Sequence, residues 1–122
     1  MNISENPIRV KSFQFAVHII KLCQKIIKEK REYILTKQLI RSATSVGANI
    51  SEAICGISRR DFLAKMYISY KECSESCYWI DLLYACEYVS KENFIYIKNE
   101  CMELMKMLSK ITKTTRENLN IR

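Results

Sequence analysis

Glycine and proline are nearly missing from this chain, with 2 Gly and 1 Pro in 122 residues. That scarcity removes most of the turn chemistry that sandwiches, barrels and glycine-rich phosphate loops require. Histidine occurs once, as His18, which leaves little for imidazole-based metal or nucleophile chemistry. The longest uncharged run is ten residues, 42–51, well short of the roughly twenty that a bilayer span needs. The first eleven residues carry Glu5, Arg9 and Lys11 where a secretory signal would be apolar, so a cytoplasmic location is expected. Six cysteines are present, none in the C-x-x-C pairs that structural zinc usually takes. Cys55 falls at a helix end. Cys23, Cys73, Cys77, Cys86 and Cys101 lie in stretches that read as helix, and all six are expected to act as reduced, small apolar core residues without a cofactor.

What remains is helix. Hydrophobic residues make up 48% of the chain, enough to argue against disorder, and the length suits a single domain spanning residues 1–122. Helices are expected at about residues 8–30, 34–54, 59–88 and 91–113, with a frayed tail from residue 114 onward. Asn6-Pro7 supplies a cap and a helix-starting proline. Ser58 and Asp61 form a capping box, with Ile57 and Phe62 as its hydrophobic staple; Ser90, with Val89 and Phe94, repeats the device more weakly. The second helix has a seam of Leu35, Leu39, Ala43, Val46, Ile50 and Ala53, and Gly47 in its thin middle marks a close backbone approach. Phe62, Met66, Cys73, Cys77, Ile80 and Tyr84 mark the inner face of the third. Phe94, Ile97, Cys101, Leu104, Leu108 and Ile111 step by three and four along the last, a period that favours left-handed bundle packing. Short links force neighbouring helices antiparallel. The expected fold is an all-α, up-down-up-down four-helix bundle.

The first helix carries more apolar surface than one bundle needs. Lys11, Gln14, His18, Lys21, Lys25 and Lys28 occupy a single polar stripe that should face solvent. Phe13, Ala16, Val17, Ile20 and Ile27 widen the apolar arc beyond half the circumference, which predicts contact with another subunit.

Charge is segregated as well. Residues 1–60 hold 11 Lys/Arg against Glu5, Glu29, Glu32 and Glu52, a net +7, whereas residues 61–122 hold 9 of each sign. Such asymmetry is the electrostatic footprint of a phosphate-binding surface, and Lys21, Lys25, Lys28, Lys30 and Arg31 are its candidate residues. With no zinc finger, RRM signature or KH loop in view, backbone contacts without sequence preference are expected. The alternative is a protein-interaction scaffold whose lysines serve only solubility. Tyr67, Tyr70, Tyr78 and Tyr84 could stack on bases, but at helical spacing they suit a core or an interface better.

A polar constellation faces across the second and third helices. Arg41, Ser45, Asn49 and Glu52 share one face, and Asp61, Lys65, Glu72, Glu75 and Trp79 another. Glu72 and Glu75 at i, i+3 invite a di-metal or acid–base reading, but the ferritin-like site takes two Glu-x-x-His motifs and this chain has a single His. A structural network of Arg41, Asn49, Glu52, Lys71, Glu72 and Glu75 fits better. No Ser or Cys has a positioned His, so no catalytic residue or metal is assigned and a non-enzyme is expected.

The run Gln38-Leu39-Ile40-Arg41-Ser42-Ala43-Thr44-Ser45-Val46-Gly47-Ala48-Asn49-Ile50-Ser51-Glu52-Ala53, continued by Ser58, Asp61-Phe62, Lys71-Glu72, Glu75 and Tyr78-Trp79, resembles the signature of the four-helix-bundle proteins encoded in intervening sequences of bacterial 23S ribosomal RNA genes. The likeness spans about residues 12–111. It implies a ring-shaped homopentamer, and it extends to the accessory variability proteins of diversity-generating retroelements, which are similar basic pentamers that bind nucleic acid and a reverse transcriptase. The match is nearer to the ribosomal branch. The resemblance brings no established catalytic residues. The family pattern places Gly directly after the Glu of Asn-x-x-Glu; here Ala53 stands there and Gly56 follows three residues on, which leaves the end of the second helix open.

Overall fold

The computed structural model describes residues 6–120; what the sequence suggested for residues 1–5 and 121–122 lies outside them. Four helices follow one another, α1 (Pro7–Lys30), α2 (Ile34–Ile54), α3 (Arg59–Ala85) and α4 (Lys91–Asn118). No strand occurs among the described residues. Links of three to five residues turn each helix back along its predecessor, and α1 closes the circuit against α4 in an up-down-up-down four-helix bundle. The α2–α3 seam is the most extensive and the α1–α4 seam the sparsest.

Each start has a local cause. The Asn6 side chain accepts the Ile8 N–H at 3.1 Å ahead of Pro7. Ser58 accepts the Asp61 N–H at 3.0 Å, and Ser90 the Asn93 N–H at 3.2 Å. The start of α2 uses a device the sequence did not advertise. The Glu32 carboxylate accepts the N–H groups of Ile34, Leu35 and Thr36 at 3.0, 3.0 and 2.9 Å, satisfying three of the four orphan donors of a helix start. Partial burial opposes its ionisation, but the hydrogen bonds from Leu35, Thr36 and Ile34 win and hold its carboxyl below the usual range.

The core is Phe15, Ile19 and Cys23 from α1, Leu39, Val46 and Ile50 from α2, Met66, Cys73, Ile80 and Leu83 from α3, and Ile97, Cys101, Leu104 and Leu108 from α4. On α3 half of the inner face expected from hydropathy, Met66, Cys73 and Ile80, is buried, and the other half is not. Phe62, Cys77 and Tyr84 are half-buried, and the buried row is Leu63, Met66, Ser69, Cys73, Ser76, Ile80 and Leu83. Its serines bury because their hydroxyls are occupied. Ser69 Oγ donates to the Val46 carbonyl at 2.8 Å, and Ser76 Oγ lies 2.9 Å from Ser42 Oγ. Small satisfied residues let α2 and α3 approach closely. At Gly47, an added Cβ would sit 3.4 Å from Ser12 Oγ and 3.6 Å from the Ser12 carbonyl oxygen, so the backbone that comes close there is α1.

Three further expectations are corrected. Helix α3 ends at Ala85, not at residue 88, because Glu87 adopts the left-handed conformation (φ 66°). There the Tyr88 N–H reaches the Leu83 carbonyl at 2.9 Å and the Glu87 N–H the Tyr84 carbonyl at 3.0 Å, a Schellman stop without its usual glycine; Cys86 is therefore an exposed cap residue outside the helix. The tail does not fray at residue 114. Thr112 and Thr115 are buried, their hydroxyls bonded to the Leu108 and Ile111 carbonyls at 3.0 and 2.7 Å, and Arg116 donates to the Tyr67 hydroxyl at 2.9 Å. Finally, Ile57 is 99% exposed, so it makes no staple. The Arg59 guanidinium covers Phe62 instead, 4.8 Å from the ring centre, and the Asp61 carboxylate fills the space a Cβ at Gly56 would need. Gly56 lies just past α2, which ends at Ile54.

Candidate functional site

The lysine stripe of α1 does not face open solvent along its whole length; one edge of it borders α4. Lys11 pairs with Glu103 at 2.5 Å. His18 is half-buried, with Nδ1 2.7 Å from Glu100 Oε2 and its ring centre 5.8 Å from that of Tyr96. The sequence placed His18 among free surface lysines; a carboxylate from α4, invisible to a reading of α1 alone, claims it. Below this point the cations are unclaimed. Lys21, Lys25, Lys28, Lys30 and Arg31 are all exposed, and none takes part in an ion pair among the described residues.

These five do not form one cluster. Lys21 and Lys25 form one wall of a groove of about 330 Å³ between α1 and α4, facing Asn93 and Tyr96, with His18 at its end and Leu22 and Ile97 beneath. The groove runs on, through Leu22, Lys25 and Asn93, into a second hollow of about 290 Å³ that includes Lys30 and Tyr88 together with Glu29 and Glu87. Lys28 lines neither hollow. Arg31 stands at the left-handed turn that ends α1 (φ 53°), its N–H bonded to the Ile27 carbonyl. The sparse α1–α4 packing is what opens the groove. Tyr96, 60% exposed, is its main aromatic, and sequence reasoning missed it because the tyrosines of α3 drew attention. The signal was available in the 3-4 seam of α4, in which Tyr96 sits just outside Ile97.

Across α2 and α3 the polar residues neutralise one another. The Arg41 guanidinium reaches Glu72 at 3.2 Å and also donates to Glu75. Glu75 also accepts the Trp79 indole N–H at 3.1 Å. Lys65 lies 4.0 Å from Glu52. Asn49 folds back on its own helix, donating to the Ser45 carbonyl and hydroxyl at 2.9 and 3.0 Å. Lys71 is exposed and outside these pairs, a correction to the network anticipated from sequence. Both carboxylates that suggested acid–base or metal chemistry are thus held by one guanidinium. No group of three His, Cys, Asp or Glu among the described residues is placed to hold a metal ion.

Cys23, Cys73 and Cys101 pack as core and Cys77 is half-buried, whereas Cys55 and Cys86, also expected in the core, are exposed at the ends of α2 and α3. Cys73 and Cys101 oppose one another across α3 and α4 with sulfurs 3.9 Å apart, each S–H directed at the other residue's carbonyl, at 3.6 and 3.5 Å. Hydrogen bonding to the Cys73 and Cys77 thiols and burial push the Cys101 thiol far above its ordinary range. Burial, with a contribution from Glu32, pushes Cys23 to about 12. Neither is a nucleophile near neutral pH. Cys77 is held below the ordinary thiol range by hydrogen bonding to Cys101 and by the Lys98 charge, against the opposing effect of burial.

A second surface feature is apolar. Phe13 stands 67% exposed beside a groove of about 310 Å³ lined by Ser12, Ala16, Thr44, Gly47, Ala48 and Ser51. Around α1, Phe13, Val17 and Ile20 span roughly 60° on the flank away from the α4 groove. No helix among the described residues is long and apolar enough to cross a membrane.

Comparison with known proteins places this geometry. Residues 4–110 match the family model of the 23S rRNA-intervening sequence protein. The crystal structure, at 1.70 Å, of a protein of unknown function from the S23 ribosomal protein family of Bacteroides thetaiotaomicron VPI-5482 superposes with a TM-score of 0.85 at 42% identity, covering 87% of this chain and 98% of that one. No curated protein matches.

Proposed function

The chain belongs to the 23S rRNA-intervening sequence protein family, and we propose that it works as a non-enzymatic, self-associating accessory protein that grips nucleic acid by its phosphates. The observation that carries this reading is the set of exposed cations Lys21, Lys25, Lys28, Lys30 and Arg31, which pair with no acid among the described residues, on the half of the chain that holds all the net charge. Cations already committed to carboxylates offer a phosphate little; uncommitted ones release its counterions. Copies brought together by the Phe13 flank would array this face several times, and the family resemblance suggests a five-membered ring. The protein works in the cytoplasm, where its core thiols stay reduced.

A filter-binding titration against salt tests the reading. If all five cations of a protomer meet duplex phosphates, log affinity falls against log salt with a slope near −4.5 per engaged protomer, about −0.9 for each contact. Lys21→Glu with Lys25→Glu should flatten that slope and weaken every sequence alike. Absence of binding at about 50 mM salt overturns the reading. The exposed Phe13 favours a second one, a scaffold for a protein partner. The same double reversal would then leave the partner complex intact.

A further inference from the structure

We propose that the α1–α4 groove takes one nucleotide of a single-stranded nucleic acid, with its base stacked on Tyr96 and its flanking phosphates on Lys21 and Lys25. This rests on the nucleic-acid reading above and goes further, because a lysine stripe alone grips duplex and single strand by the same chemistry. Here the lysines face an aromatic ring across a groove with an apolar floor. Tyr96 is 60% exposed, and the His18 ring lies 5.8 Å away at 60°, which leaves a face of the tyrosine to the groove. Leu22 and Ile97 form the floor, a surface that suits a base and offers nothing to a phosphate. Asn93 brings an amide, donor and acceptor together, that can meet the edge of any base. Exposed aromatics beside a basic track are the recurring arrangement for sequence-tolerant single-strand binding, because every base presents a π-face. A duplex keeps its bases stacked inside and could use only the lysines.

Charge fixes which part of the trough is used. The upper groove holds Lys21 and Lys25 with no carboxylate in its lining, and the nearby Glu100 is already engaged by His18. In the lower hollow, Glu29 and Glu87 offset Lys25 and Lys30, so a phosphate gains nothing by descending into it. The stretch of groove wall without a competing acid therefore runs from His18 to Lys25. That is about two helical turns, or 10 Å of α1, which is room for one base and the phosphates beside it.

Fluorescence anisotropy with labelled oligo(dT) and oligo(U), set against a duplex of equal length, tests the proposal. Tyr96→Ala should weaken both single strands by about tenfold or more, the worth of one base–aromatic stack, and leave duplex affinity and the salt slope unchanged. Tyr96→Phe keeps the π-face and should bind as the parent does. A melting curve checks that Tyr96→Ala still folds, as an exposed position should allow. If Tyr96→Ala binds single strands like the parent while Lys21→Glu with Lys25→Glu loses both ligands, the base-stacking proposal fails and the phosphate reading stands. If the parent binds neither ligand, both fail.

Discussion

Replacing Phe13 by Ser should dissolve whatever assembly this protein forms while leaving the protomer intact. Phe13 is 67% exposed, and a phenylalanine side chain offers roughly 200 Å², so about 130 Å² of it is left to hide. At about 25 cal/mol per Å², burial against a second copy is worth about 3 kcal/mol per contact. The translational and rotational cost of association is the same for parent and variant, so the difference survives it. Since about 1.4 kcal/mol is a factor of ten, each contact should weaken by roughly a hundredfold. The protomer should change by no more than about 0.5 kcal/mol, as surface substitutions do.

Sedimentation velocity over a wide concentration range is the assay, with melting curves run in parallel. The parent should sediment as an assembly at micromolar concentration, and Phe13→Ser as a folded monomer until the concentration is far higher. Two results would refute the reasoning. One is a parent that stays monomeric throughout. The other is an assembly that survives Phe13→Ser but falls apart on Ile57→Ser, which would move the seam to the α2–α3 link, where Ile57 stands 99% exposed.

Glu32→Gln should lower stability by about 1 kcal/mol, the usual cost of a weakened N-terminal cap, as read by urea unfolding at pH 7. Because the folded carboxyl is held below its unfolded value, this stability is present above the unfolded pKa and is lost as pH falls through the folded one, so the gap between parent and variant should close in acid. Gly47→Ala places a methyl at ordinary contact distance from Ser12 and should stabilise the fold by up to about 1 kcal/mol through helix propensity, read as a higher melting temperature. Arg41→Ala leaves Glu72 and Glu75 facing each other without their shared cation; it should destabilise the fold, and double-mutant cycles with Glu72→Ala should show the coupling.

The order and type of the helices, and most of the starts, were legible because they are local: Asn6-Pro7, Ser58 and Ser90 act within one turn of themselves. The stops were not. Helices α1 and α3 both end through a left-handed residue, Arg31 and Glu87, where a reader looks for glycine, and the expected end of α3 overran accordingly. Hydropathy misled in one further place. Met66, Ser69, Cys73, Ser76, Ile80 and Leu83 step by three and four along α3, the same period as the seam of α4, but two serines hide it from anyone counting only apolar residues. Their partners, the Val46 carbonyl and the Ser42 hydroxyl, lie on another helix. The candidate site shares that limit. The sequence of α1 announces its cations, but which of them are free depends on where α4 brings Glu100 and Glu103. The two carboxylates take His18 and Lys11, and what they leave is Lys21 and Lys25 opposite an exposed tyrosine. Spacing along one helix shows which side chains share a face; only the neighbouring helix decides which of those remain available to a ligand.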